Sequence, residues 1–229
     1  ANVSHELRPP LTVIKGYLET FMDNLQQDHP QLSRGLSRMN EQALRMEALV
    51  NDLLLLSRLE TEQNERVLKP VGMARLLRQI HTDALAMNDS KQHNIQLEIS
   101  SDLDINGDEE ELRSAFSNLV INAIKYTPPH SNITLRWYDD DNGLCMEVED
   151  DGQGIDPQHL PRLTERFYRA DQSRHSKTGG TGLGLAIVKH VLIHHNAKLD
   201  VYSELGEGSI FTCRFPRKCV VKDSQKSVA

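Results

Sequence analysis

His5 is the residue near the start of the chain whose type and setting are suited to chemistry. Apolar residues recur at three- and four-residue spacing from Val3 to Leu25, which predicts one stripe of an amphipathic helix. His5 lies two residues from the nearest apolar positions, so at about 100° per residue it points away from the stripe. An exposed imidazole beside Glu6 and Arg8 can exchange a proton near neutral pH. A lone surface histidine is usually only solvated, so its role depends on the rest of the chain.

A second candidate site is a helix that carries two asparagines. Asn118 and Asn122 lie four residues apart, so they share one helix face, opposite Leu119 and Ala123. Neutral amide oxygens ligate Mg²⁺, which takes its other ligands from water and phosphates. Lys125 can reach a phosphate as a point charge. The alternative is that both asparagines only cap or solvate the helix, but asparagine is a mediocre helix former and two on one face need a reason.

Two glycine-rich segments complete the set of candidate chemical groups. The first spans residues 149–155 and the second spans residues 178–185, where it runs directly into a predicted helix. Glycines at this spacing let backbone amides approach phosphate oxygens, and a helix N-terminus adds partial positive charge. Neither segment is a Walker loop or a dinucleotide fingerprint within a βαβ unit. A purely structural turn remains the alternative for either segment alone.

The composition sets limits on the class of protein. The chain has 229 residues, of which 38% are hydrophobic and 26% charged, so we expect one or two packed domains. Its net charge of −7 argues against a nucleic-acid binder. We expect no membrane span and no signal peptide within it. The three cysteines form no metal-ligand pattern and suggest a reducing compartment, with Cys145 and Cys213 as apolar strand residues.

The first 66 residues are predicted to form a helical hairpin. The first helix should span residues 2–27, with a kink at Pro9 and Pro10, followed by a turn at residues 28–30. A second helix shows nearly unbroken heptad spacing at Leu32, Leu36, Met39, Ala43, Met46, Val50 and Leu53. A lone antiparallel hairpin leaves part of this apolar stripe exposed. We therefore expect a homodimer in which two hairpins form a four-helix bundle.

Residues 67–218 are predicted to form an α+β sandwich, with helices on one face of a mostly antiparallel sheet. Helices are expected at residues 71–87, 108–126 and 182–195, and strands at residues 95–99, 133–138, 144–149, 198–203 and 209–215. The residues from Arg217 onward are polar, so we expect them to fray, with residues 219–229 as a C-terminal tail.

Five motifs follow one another along the chain: His5-Glu6-Leu7-Arg8 with Pro10-Leu11, the asparagine helix, Asp150-x-Gly152-x-Gly154, Arg166-Phe167-Tyr168-Arg169 and Gly180-x-Gly182-x-Gly184-Leu185. In type and order they resemble the motifs of sensor histidine kinases of two-component systems. The resemblance covers about residues 1–216. It implies a dimerisation and histidine phosphotransfer hairpin in residues 1–66. It also implies a Bergerat-type ATP-binding domain, shared with gyrase-like ATPases, in residues 67–218.

The resemblance also implies roles for individual residues. His5 would accept the γ-phosphoryl group of ATP, while Glu6 orients the imidazole and accepts its proton. His5 would then pass the phosphoryl group to an aspartate of a response regulator, which would dock near Arg8 and Pro9. Asp150 matches the acceptor for the adenine amino group, and Asn122 matches the Mg²⁺ ligand. The other implied nucleotide-binding residues are Asn118, Lys125, Tyr126, Gly152, Gly154, Arg166, Phe167, Arg169, Thr178, Gly180, Thr181, Gly182, Leu183 and Gly184, and the segment from Arg166 to Thr181 would form a mobile lid.

The chain departs from the family pattern at two positions. Pro9 stands where the family usually has a threonine that positions water for dephosphorylation of the regulator, so we expect weak phosphatase activity. Asp151 stands where asparagine is more usual, and its carboxylate could either weaken ATP binding or assist the metal. Kinases of this kind also carry upstream sensing and membrane-spanning segments. We therefore expect the chain to be the cytoplasmic core of a longer inner-membrane protein.

Two other classes of function remain open from the sequence. One is an ATP-binding signalling scaffold or phosphatase without autokinase activity, which the Pro9-Pro10 pair favours. The other is a gyrase-like ATPase whose ATP cycle drives a conformational clamp. An exposed His5 on a dimerising hairpin argues against the clamp, since such a protein needs no phosphoacceptor histidine.

Overall fold

A computed structural model describes residues 12, 14–18, 21, 30–61, 68–89, 91–170 and 181–221. The chain divides into two compact units, residues 1–62 and residues 63–229. Within the described residues, no helix is long and apolar enough to cross a membrane.

The first unit is helical. Residues 12, 14–18 and 21 are helical, and helix α1 spans Pro30–Thr61, with a proline at its first position where the missing N–H costs no hydrogen bond. Leu18, Leu36 and Ala43 form a buried cluster. Lys15 Nζ lies 3.9 Å from Glu47 Oε2. The two helical segments therefore pack against each other. The predicted kink at residues 9–10 and most of the predicted first helix lie outside the described residues.

The second unit is built on a mixed sheet. Its described residues include a five-stranded sheet of order β2-β4-β5-β7-β6, in which β2 and β4 are parallel and the other neighbours antiparallel. The strands are β2 Asn94–Ile99, β4 Asn132–Asp140, β5 Gly143–Asp150, β6 Lys198–Glu204 and β7 Gly208–Pro216. Asp140 pairs with Gly143, so the β4–β5 hairpin turns through two residues. The predicted, mostly antiparallel sheet is confirmed.

Helices α2 Met73–Met87, α3 Glu109–Tyr126 and α4 Gly184–His194 pack on this sheet. The rings of Phe116 and Phe215 meet edge to face at 6.2 Å, and those of Trp137 and Phe215 at 6.3 Å. All three side chains are fully buried, and the indole N–H donates to Leu103 O at 3.1 Å. This aromatic cluster joins α3 to the sheet and holds it in place. The predicted α+β fold is thereby confirmed.

Two helix starts differ from the predictions. Val71 is not helical but ends strand β1, Lys69–Val71, which pairs with β3, Ile105–Gly107. Pro70 favours this extended backbone, and α2 begins only after Gly72. The helix predicted from Gly182 begins at Gly184, because Gly182 has a φ of +72°, which no right-handed helix contains.

The expected fraying from Arg217 is wrong for the first residues of that segment. Residues Arg217–Cys219 form a 3₁₀ turn, and Val220 bridges to Ile105 of β3. Val221 N donates to Asp104 O at 2.9 Å, and the Cys219 and Val221 side chains are buried. Burying these two apolar side chains removes apolar surface from water, and this keeps the segment packed although its neighbouring residues are polar.

Candidate functional site

Helix α3 is fixed at both ends by side chains. At its start, Asp108 Oδ1 accepts the amide hydrogens of Glu110 and Glu111 at 3.0 and 3.1 Å, and the acidic first turn suits the helix dipole. At its other end, Lys91 Nζ donates to the carbonyl oxygens of Lys125 and Thr127 at 2.7 and 2.8 Å. A cation on the final carbonyls stabilises that end. The helix that carries the asparagines is therefore rigidly placed.

The asparagine face of α3 meets the start of α4. Asn118 Nδ2 donates to Ser114 O at 2.9 Å. A Cβ on Gly184 would lie only 2.6 Å from Asn118 Oδ1. Gly184 therefore lets the first turn of α4 approach the amide oxygen, which brings the second glycine segment against the asparagine face. Asn122, one turn further along, is partly exposed.

Asp150 ends β5 at the first glycine segment. Gly152 N donates to Asp150 Oδ1 at 3.0 Å. A Cβ on Gly152 would lie 2.6 Å from the same oxygen and 3.3 Å from Thr127 Cγ2. Burial raises the pKa of Asp150 to about 6, and the neighbouring Asp151 and Glu149 carboxylates add to the increase. Such a carboxyl is desolvated and suited to accept a hydrogen bond from a ligand.

Asp151 has a structural role at the same junction. Asn132 donates its backbone N–H to Asp151 Oδ1 at 2.8 Å and its side-chain N–H to Oδ2 at 2.7 Å. Both oxygens are thus engaged with the first residue of β4. Asp151, which departs from the family pattern, therefore ties the start of β4 to the end of β5. Its negative charge also contributes to the raised pKa of Asp150.

The second residue of the predicted lid, Phe167, has a strained backbone. Phe167 has a φ of +61° and is 59% exposed. Its N–H donates to Gly182 O at 2.8 Å, and a Cβ on Gly182 would lie 2.8 Å from its Cα. Tyr168 is held by His159, whose Nδ1 lies 2.6 Å from the phenol oxygen, and by Arg162, stacked 4.3 Å from the ring centroid. Phe167 is therefore held through its backbone and Tyr168 through its side chain.

These contacts bring together six of the predicted nucleotide residues: Asn118, Asp150, Gly152, Phe167, Gly182 and Gly184. Gly184 links α3 to the second glycine segment, Gly182 links that segment to the lid, and Thr127 links the end of α3 to Gly152 of the first glycine segment. Lys125 is partly exposed and Tyr126 is 42% exposed at the end of α3. Burial and the positive charge of Arg166 lower the pKa of His190 on α4, so the Arg166 charge acts on that helix. His5, Glu6, Arg8, Pro9, Thr178 and Gly180 lie outside the described residues, as does the predicted lid between 171 and 180.

Sequence reasoning passed over Thr127. Its side chain is buried, donates to Ala123 O, and packs beside Gly152. A threonine directly after a helix is common for ordinary capping reasons, so the sequence gave no signal that Thr127 lies beside Gly152.

The asparagine face fits a magnesium ion with few protein ligands. Within the described residues, no group of three or more His, Cys, Asp and Glu side chains is suited to hold a metal. Asn118 and Asn122 instead offer neutral amide oxygens on one face of α3. A site of this kind suits Mg²⁺, which accepts one or two protein oxygens and takes the rest from water and phosphates.

The family comparisons agree with this geometry. Residues 107–218 match the family model described as histidine kinase-, DNA gyrase B-, and HSP90-like ATPase. Residues 1–62 match the His kinase A (phospho-acceptor) domain. The chain belongs to the sensor histidine kinases. The predicted resemblance is thus confirmed, and both characteristic domains occur in the predicted order.

This histidine kinase chain is similar to phosphate-regulon sensors. It is 54% identical over 227 residues to the phosphate regulon sensor protein PhoR of Pseudomonas aeruginosa, covering 99% of this chain and 51% of that protein. It is 40% identical to PhoR of Haemophilus influenzae, covering 100% of this chain and 53% of that protein. The chain therefore spans about half the length of these relatives.

Solved histidine kinase structures share its fold. Full-length ShkA in complex with AMPPNP superimposes with a TM-score of 0.76 and 29% identity, covering 94% of this chain and 45% of that one. The Acinetobacter baumannii histidine kinase AdeS has a TM-score of 0.65 and 22% identity, covering 93% of this chain and 97% of that one, and supports the fold alone.

Proposed function

We propose that this chain is an ATP-dependent histidine autokinase that phosphorylates His5 and passes the phosphoryl group to an aspartate of a response regulator in phosphate-starvation signalling. The observation that carries the proposal is that four predicted motifs contact one another in an ATPase-type fold. Asn118 meets Gly184, Gly182 meets Phe167, and the Asp150 loop meets the end of α3. The similarity to PhoR supports the phosphate signal.

The ATP site of this proposal lies between α3, the Asp150 loop and α4. The half-buried Asp150 carboxylate accepts a hydrogen bond from the adenine amino group. The amide oxygen of Asn122, with Asn118 beside it on the same helix face, would hold Mg²⁺, which when bound would neutralise charge on the phosphates. The amides before α4 approach the phosphates, and the helix N-terminus favours their negative charge. Lys125 and Tyr126, at the exposed end of α3, contact phosphate and the base end of the nucleotide.

Phosphoryl transfer in this proposal uses the hairpin of residues 1–66, whereas residues 67–218 bind ATP. Neutral His5 attacks the γ-phosphorus in line, a P–N bond forms as the bond to the ADP oxygen breaks, and Glu6 takes up the imidazole proton. The response regulator docks near Arg8 and Pro9. Since Pro9 has no hydroxyl to position water, regulator dephosphorylation is weak. The resemblance to sensor histidine kinases implies that this core works on the cytoplasmic side of an inner-membrane protein.

A homodimer is supported by the surface of α1. Leu36, Ala43 and Val50 are buried at seven-residue spacing, whereas Met39, Met46 and Leu53 repeat at the same spacing and are 56%, 45% and 39% exposed. The first set of heptad positions is thus buried, whereas Met39, Met46 and Leu53 form an exposed apolar stripe on α1. A second hairpin of the same kind would cover this stripe in a four-helix bundle.

The test is incubation with Mg²⁺ and γ-labelled ATP, using the chain and its His5→Ala variant. Label that is stable in alkali, labile in acid and absent from His5→Ala supports the proposal. If both proteins bind ATP but neither takes up label, the autokinase is ruled out and a scaffold or phosphatase becomes the better hypothesis. Label that persists in His5→Ala would show that another residue accepts the phosphoryl group.

A further inference from the structure

Ser203, near the end of β6, joins two backbone segments through its hydroxyl. Its side chain is only 6% exposed. Its Oγ accepts a hydrogen bond from Ile155 N at 2.8 Å and donates to Gly208 O at 2.8 Å, with Ser209 Oγ 3.0 Å away. Ile155 directly follows the loop of residues 150–154. The β6–β7 hairpin therefore holds the far end of the loop that carries Asp150.

The backbone of the same hairpin also lies directly against the loop. Gly206 N donates to Gln153 O at 2.8 Å. A Cβ on Gly154 would lie 1.9 Å from Glu204 O, and a Cβ on Gly208 would lie 1.9 Å from the backbone oxygen of Asp150. These contacts leave no space for a side chain between the two segments. The position of the loop is therefore set by the hairpin, and Ser203 is the side chain that fastens them.

We propose that Ser203 is a positioning residue for ATP binding, because its buried hydroxyl fixes the end of the Asp150 loop and so holds the Asp150 carboxylate where the adenine base arrives. This inference rests on the proposed function of the site. Alanine at position 203 removes the partner of a partly buried amide and a carbonyl, so the loop either shifts or leaves polar groups unsatisfied. In either case the Asp150 carboxylate is held less firmly, whereas the reacting atoms of His5 and the γ-phosphate are not affected directly.

The experiment measures ATP and GTP binding, and the autophosphorylation KM and kcat, for the full chain and its Ser203→Ala and Ser203→Thr variants. We expect Ser203→Ala to raise the ATP Kd and KM by about tenfold, with kcat at saturation nearly unchanged. The preference for ATP over GTP should fall, because guanine offers no amino group at the position that Asp150 reads. Ser203→Thr keeps the hydroxyl and should stay within about twofold of the unmodified chain.

Ser101→Ala is the matched control. Ser101 is 4% exposed, and its Oγ accepts a hydrogen bond from Leu103 N at 3.3 Å. Its own N–H bonds to Trp137 O, whereas Asp150 pairs with Ile133, so it lies toward the other end of β4. We expect Ser101→Ala to lower thermal stability as Ser203→Ala does, but to leave the ATP Kd unchanged.

Three outcomes overturn the inference. Equal ATP affinity in Ser203→Ala and the unmodified chain rejects the positioning role and leaves the proposed function standing. Equal losses of ATP affinity in Ser203→Ala and Ser101→Ala would show that the loss follows from lower overall stability and not from the position of the loop. A wild-type chain that binds no ATP rejects the proposed function and this inference with it. If Ser203→Ala does not fold, Ser203→Cys, with similar volume and a weak donor, takes its place with the same expected result.

Discussion

At the scale of single residues, Asp150 combines burial, a raised pKa and a defined backbone partner. Its pKa of about 6 means that the carboxyl changes charge close to physiological pH. A ligand that donates a hydrogen bond to the carboxylate binds the ionised form better than the protonated one. The affinity for ATP is therefore linked to the protonation of this one residue.

We predict that ATP affinity falls as the pH is lowered through about 6. Calorimetric titration between roughly pH 5 and pH 8 measures this, with Asp150→Asn as the control. The variant should bind ATP more weakly, and its ATP affinity should not show the decrease near pH 6 that protonation of Asp150 causes. Protonation of the nucleotide phosphates changes the ATP affinity of both proteins. The same pH profile in both proteins would show that Asp150 does not read the base.

The same residue should affect the stability of the nucleotide-free chain in the opposite direction. Since its folded-state pKa is raised from 3.8 to about 6, the folded chain holds the proton more tightly than the unfolded chain. This stabilising contribution is complete below about pH 4 and is lost as the pH rises through about 6. Urea unfolding should therefore show Asp150→Asn to be more stable than the wild type near neutral pH, with the difference narrowing in acid. A difference that widens in acid would contradict the prediction.

At the scale of elements, the contact between α3 and α4 depends on the absence of a side chain at position 184. Gly184→Ala places a methyl group 2.6 Å from Asn118 Oδ1, so the helices must separate or the amide must turn. We predict a loss of about 1–3 kcal/mol in the free energy of unfolding and weaker ATP binding.

A double-mutant cycle tests this contact. In an Asn118→Ala background the obstructing amide is gone, so Gly184→Ala should cost little. Gly72→Ala serves as a matched control at the start of α2, where the added Cβ would meet its nearest neighbours only at 3.9 Å. A Gly184→Ala cost that is unchanged by Asn118→Ala would place the strain elsewhere.

The elements that the sequence predicted best carry several agreeing signals. Helix α3 has a capping aspartate, an acidic first turn and a periodic apolar face, and its predicted bounds match the structure. Strands β1 and β3 have three residues each, too few for a periodicity, and they form only because they pair with each other. In the candidate site, the motif residues were identified because their types and order match those of a known family, and their individual roles are still predictions. Thr127 and Ser203 were not identified, since their roles depend on contacts between residues 25 and 48 positions apart.

At the scale of the whole molecule, the exposed apolar stripe of α1 predicts self-association. We expect Met46→Glu combined with Leu53→Glu to convert a dimer into a monomer in sedimentation equilibrium, because like charges would replace the apolar contact between copies. Leu85→Glu with Met87→Glu is the control, since these side chains of α2 are 46% and 54% exposed. The control should remain dimeric. An unmodified chain that sediments as a monomer would contradict the predicted bundle.

The packed segment from Arg217 to Val221 has a consequence for modular engineering of such kinases. Val220 adds to the ribbon of β1 and β3, and Cys219 Sγ donates to His195 O at 3.2 Å, just after α4. A fusion or transplant that cuts after the final sheet strand, at Pro216, would remove these contacts and loosen the ribbon at the entry to the catalytic domain. A graft junction placed beyond Val221 keeps the module whole.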